Sequence, residues 1–101
     1  MAKILVIDDE RSIRNSMKDI LSFEGHEVLL AENGMEGLAS VKTDKPELVF
    51  CDIKMPKVEG IEVLKRIKEF TTETPVIMIS GHGTIDTAID AIKNGAYDFI
   101  E

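Results

Sequence analysis

The chain has 101 residues, enough for one hydrophobic core and too few for two, so residues 1–101 are read as one domain. Apolar residues make up 44% and charged residues 31%, a globular balance that excludes a disordered or low-complexity chain. A net charge of −7 excludes the basic face that nucleic-acid contact by this segment would need, the lone Cys51 excludes an internal disulfide, and no apolar run approaches a membrane span.

Lys3 to Ile7 is almost wholly apolar and rich in β-branched residues, which predicts a buried strand ending at Asp8 and Asp9. The N-terminus enters this run without the pattern of a signal peptide, so a reducing cytoplasm is the expected location. From Ser12 onward Ile13, Met17, Ile20 and Leu21 recur at helical spacing, and Gly25 supplies the left-handed residue that commonly stops a helix. Val28 to Leu30 reads as a short second strand. Asn33-Gly34 then turns into a weaker helix carrying Met35, Leu38 and Val41, closed by Lys45-Pro46.

Leu48 to Cys51 repeats the buried-strand signature and ends on Asp52; Pro56 breaks the chain before a helix with Ile61, Leu64 and Ile67. Pro75 to Ile79 predicts a fourth strand ending at Ser80. Gly81-His82-Gly83 leads into a helix with Ile85, Ala88, Ile89 and Ile92 on one face, stopped by Gly95, and Tyr97 to Ile100 begins a fifth strand. Strand and helix alternating in this way imply an α/β fold with a parallel sheet and right-handed crossovers, of which the three-layer flavodoxin-like arrangement with strand order 2-1-3-4-5 is one form and the one expected here.

In such a sheet the binding crevice lies at the carboxyl ends of the strands. Asp8 and Asp9 follow the first strand, Asp52 the third and Ser80 the fourth, so these four residues should converge. Packed carboxylates repel unless a cation sits among them, and hard oxygens with a phosphate suit Mg²⁺. An aspartate there could act as nucleophile toward a phosphoryl group while a hydroxyl such as Ser80 donates to its oxygens. The competing reading is that each aspartate caps the helix that follows it.

Ile7-Asp8-Asp9-Glu10, Asp52-Ile53-Lys54-Met55-Pro56 and Ile79-Ser80-Gly81-His82-Gly83, each at its strand end, resemble the marks of bacterial response-regulator receiver domains over the whole chain. The resemblance implies that Asp52 is the phosphoacceptor, Asp8 and Asp9 the acidic Mg²⁺ pair, and Lys54 a ligand through its main-chain carbonyl. It also makes Ser80 and Phe99 the switch residues, with Gly81 and His82 beside the phosphoryl group; the alternatives are that Gly81 serves only the turn and Phe99 only the core. The Ser80–Ile85 and Gly95–Ile100 stretches are similar to receivers of the NtrC and NtrX kind, which precede an ATPase that activates the σ54 polymerase and a DNA-binding domain. The implied partner is a sensor histidine kinase, with no contact to a membrane and no turnover of a free substrate beyond the domain's own phosphorylation and dephosphorylation.

The family places a lysine after the fifth strand, which would be residue 102, and then a fifth helix. The chain stops at Glu101, so the domain is expected to be incomplete at its C-terminus, binding Mg²⁺ but switching weakly. In the intact protein, the surface of the fourth helix, fifth strand and fifth helix commonly serves dimerisation or output. The alternatives are a phosphorylation-independent interaction module with the same fold and a small flavodoxin-like or Mg²⁺-dependent phosphatase-like enzyme. His26 is read as a solvated side chain on the surface, Cys51 as a packing thiol, and Lys65, Arg66 and Lys68 as a solvated helix face.

Overall fold

Residues 1–53, 60–80 and 85–100 are described in the computed structural model. Five strands alternate with four helices: β1 (Lys3–Ile7), α1 (Arg11–Phe23), β2 (Glu27–Ala31), α2 (Gly34–Asp44), β3 (Leu48–Asp52), α3 (Gly60–Phe70), β4 (Val76–Ile79), α4 (Ile85–Lys93) and β5 (Asp98–Ile100). The strands form one parallel sheet in the order β2-β1-β3-β4-β5, the expected flavodoxin-like arrangement. The chain moves from β1 to β2 in one direction and from β2 onward in the other. Right-handed crossovers therefore place α1 on one face and α2, α3 and α4 on the other.

The helix ends follow the local chemistry. Asn33 caps α2, its side chain accepting from the Glu36 N–H at 2.9 Å, and Lys45 ends the helix in the left-handed conformation at φ 49°. Gly25 and Gly95 take φ of 90° and 102° at the ends of α1 and α4, as their positions predicted. Strand ends differ from the sequence reading by one or two residues: β2 extends to Glu27 and Ala31, while Pro75 and Tyr97 fall outside β4 and β5.

The core joins the central strands to α3, with Leu5, Ile7, Val49, Val76 and Met78 facing Val63, Leu64 and Ile67. The α1 stripe behaves differently: no residue of α1 is buried, and Ile20 is 64% exposed. In α4 only Ala91 is buried, whereas Ile85, Ile89 and Ile92 of the apolar face point outward. Helical periodicity marks a face that can be covered; among the described residues α3 has α2 and α4 beside it, and α1 lies on β1 and β2. Lys68 also departs from a solvated reading. Its ammonium donates to the Thr74 carbonyl at 2.7 Å, and partial burial lowers its pKa.

Candidate metal centre

β1 and β3 are neighbours, with Ile7 opposite Cys51, so the next residue on each strand brings Asp8 beside Asp52. Parallel neighbours run about 4.8 Å apart. Asp9 follows at once, and one carboxylate oxygen from each of Asp8, Asp9 and Asp52 lies within 4.8 Å of the others. Oxygens bound to one Mg²⁺ ion at about 2.1 Å stand at most about 4.2 Å apart, so a closing of roughly half an ångström would bring this all-oxygen donor set onto one such ion.

The three carboxylates differ in environment. Asp8 is 3% exposed, Asp52 is half-buried and Asp9 is exposed. Burial pushes the Asp8 carboxyl above its ordinary pKa; the Glu10 N–H, donating to Asp8 Oδ1 at 2.9 Å, opposes this, the Asp9 and Glu10 charges add to it, and Arg14 opposes it. Helix capping does not account for Asp8. Glu10 occupies the N-cap of α1, and Asp8 accepts from that residue's own N–H rather than from the first helical turn.

Ser80 lies directly past β4, where Asp52 pairs with Ile79, and it is buried. Its N–H donates to the Ile100 carbonyl at 2.9 Å, which ties the residue to the end of β5. Phe99 pairs with Met78 and packs partly buried against the core. Cys51 is buried, and its thiol pKa is pushed up by burial and by the Asp52 and Asp8 charges, as suits an inert packing group. Lys54, Gly81 and His82 lie outside the described residues.

Two residues near the acids were not singled out from the sequence. Gly60 opens α3 hard against the end of β3: a Cβ there would collide with the Asp52 carbonyl oxygen, and the Gly60 N–H donates to the Ile53 carbonyl at 2.7 Å. Its only sequence signal is a glycine at the start of a helical pattern. Arg14, on α1, donates from Nη1 to the Asp8 carbonyl at 2.8 Å, and Nη2 lies 3.9 Å from Glu32 Oε2. No local pattern marks an arginine that reaches back six residues. His26 also does more than face solvent, because Nδ1 accepts the Ala2 N–H at 3.0 Å.

The model of the response regulator receiver domain matches residues 4–101. This chain belongs to that family. The receiver domain is similar to nitrogen assimilation regulatory protein NtrX of Azorhizobium caulinodans, 45% identical over 100 residues that cover 97% of this chain and 22% of that protein. It is also similar to transcriptional regulatory protein ZraR of Klebsiella oxytoca, 40% identical over 97 residues, covering 96% of this chain and 22% of the relative. The crystal structure of the receiver domain of NtrX from Brucella abortus superposes with a TM-score of 0.91 at 49% identity, covering 97% of this chain and 83% of that one. The receiver domain thus spans about a fifth of the length of these two curated relatives. Among its described residues, no helix is long and apolar enough to cross a membrane.

Proposed function

We propose that this receiver domain takes a phosphoryl group onto Asp52 from a sensor histidine kinase and relays that event to a transcription-regulating output. The observation that carries the reading is the convergence of the Asp8, Asp9 and Asp52 carboxylates within 4.8 Å at adjacent strand ends in a chain of this family.

In this reading Asp52, half-buried at the end of β3, is the nucleophile, as the family resemblance implies, while Asp8 is enclosed and accepts from the Glu10 amide. One Asp52 oxygen forms a bond to phosphorus as the phosphorus–nitrogen bond of a phosphohistidine breaks, and the electron pair leaves with the imidazole. Asp8 and Asp9, with Asp52 and the Lys54 main-chain carbonyl, would hold Mg²⁺. The bound ion supplies charge neutralisation for the phosphoryl oxygens. The Ser80 hydroxyl donates to one of those oxygens, and Phe99 moves inward behind it, with Gly81 and His82 beside the phosphoryl group. The domain turns over no free substrate in this scheme, and its setting is the cytoplasm.

The names of NtrX and ZraR describe regulatory proteins, and this chain covers about a fifth of each. We extend that to an ATPase and a DNA-binding domain in the whole protein. Ile89 and Ile92 of α4 and Tyr97 just before β5 are exposed apolar side chains that suit dimerisation or contact with such an output.

The test is transfer of labelled phosphate from the sensor histidine kinases of the same genome, each loaded on its histidine. The expected result is a hydroxylamine-labile label on this chain that is absent from Asp52→Asn. A chain that takes no label from any of them contradicts the kinase reading.

A further inference from the structure

Asp8 lies one residue beyond the last ladder pair of β1, where Ile7 faces Ala31 and Cys51. Its N–H still donates to the Ala31 carbonyl at 3.1 Å, and its Oδ1 accepts from the Glu10 N–H at 2.9 Å. Its carbonyl oxygen has left the ladder and accepts instead from Arg14 Nη1 at 2.8 Å. That guanidinium is itself held: its side chain is 14% exposed, it stands on α1, and its other nitrogen reaches toward Glu32 just past β2.

The Asp8 carbonyl and the Asp9 N–H belong to one planar peptide unit, so a clamp on that oxygen also fixes the direction in which Asp9 leaves the strand. We infer that Arg14 is a positioning residue, whose bond to the Asp8 carbonyl locks the Asp8–Asp9 peptide plane and with it the angle at which the acid pair faces Asp52. The part of this inference that concerns Mg²⁺ rests on the proposed function; the part that concerns the peptide plane does not.

Charge and position act in opposite directions here, which makes the two separable. A cation beside three carboxylates competes with an arriving Mg²⁺, so by charge alone its removal would tighten metal binding. If Arg14 instead sets the ligand geometry, its removal loosens binding even though the pocket becomes more negative. Loss of an outer contact that orients a metal ligand commonly costs about 10-fold or more in affinity.

The experiment compares ¹⁵N relaxation of the metal-free 101-residue chain with that of Arg14→Ala, Arg14→Lys and Glu32→Gln. The Asp9 amide should fall from an order parameter of about 0.85 to below about 0.6 in Arg14→Ala. It should recover in part in Arg14→Lys, which keeps one donor, and should hold in Glu32→Gln, which keeps the Asp8 contact. Magnesium chloride titrations of the same samples should show binding about 10-fold weaker in Arg14→Ala. An Asp9 amide as ordered in Arg14→Ala as in the parent, or Mg²⁺ bound as tightly or more tightly by that variant, overturns the inference. If Arg14→Ala does not fold, Arg14→Lys decides: equal Asp9 order and equal Mg²⁺ affinity in the parent and in Arg14→Lys overturn it. If the parent chain binds no Mg²⁺, the metal reading fails and the Asp9 amide still decides this one.

Discussion

Leu64 and Asp8 are almost equally hidden from solvent, at 0% and 3% exposed, yet burial does opposite things at the two places. Leu64 lies on α3 among Val63, Ile67 and the apolar side chains of the central strands, where removal from water and close packing both stabilise the fold. Asp8 ends β1 beside two other carboxylates, and burial raises the free energy of its ionised form. The interior next to α3 is built for stability. The strand ends hold charge at a cost, and that cost is what a cation at the site would relieve.

This contrast can be broken at several points. Leu64→Ala should lose about 2–5 kcal/mol in chemical denaturation, the range for deleting a fully enclosed leucine; a loss well under 1 kcal/mol would mean that the α3 side is not the main core. Mg²⁺ at about ten times its dissociation constant should stabilise the parent chain by about 1.4 kcal/mol and leave Asp8→Asn nearly unaffected. Without metal, Asp8→Asn should be more stable than the parent by about 1 kcal/mol, seen as a higher denaturation midpoint; a lower midpoint would remove the claim that the acid end is costly.

The pH dependence sharpens the same point. The folded pKa of Asp8 is raised above the ordinary 3.8, so the folded state holds that proton more tightly than the unfolded chain does. The resulting stability is fully present below 3.8 and is lost as pH rises through the raised value. Metal-free stability of the parent relative to Asp8→Asn should therefore fall across that window, as read from paired denaturation curves. The smallest effect is expected on α1, where Ile20→Ser at a 64% exposed position should change stability by less than about 0.5 kcal/mol.

The parts of the molecule legible in the sequence are those set by local chemistry. Strands show as short apolar runs, Asn33-Gly34 as the turn into α2, Gly25 and Gly95 as stops, and the acid cluster as polar residues at the ends of buried strands. The parts that were not legible depend on what lies across the fold. Ile13 and Ile20 repeat with the same period as Leu64 and Ile67, but among the described residues it is α3 that has helices α2 and α4 beside it. Gly60 is required by the backbone of Asp52 eight positions earlier, and Arg14 acts on the Asp8 carbonyl, six positions back and outside its own helix. Lys68 reads as one more surface cation until the Thr74 carbonyl is placed beneath it.

The central claim is that Asp52 accepts a phosphoryl group in a pocket that the other two aspartates prepare for Mg²⁺. Intact-mass measurement after exposure to a small phosphodonor, with and without Mg²⁺, on the parent chain and on Asp52→Asn tests it most directly. The account predicts a single phosphate-sized gain that requires Mg²⁺ and vanishes in the variant. No gain in the parent, or an equal gain in Asp52→Asn, would contradict it.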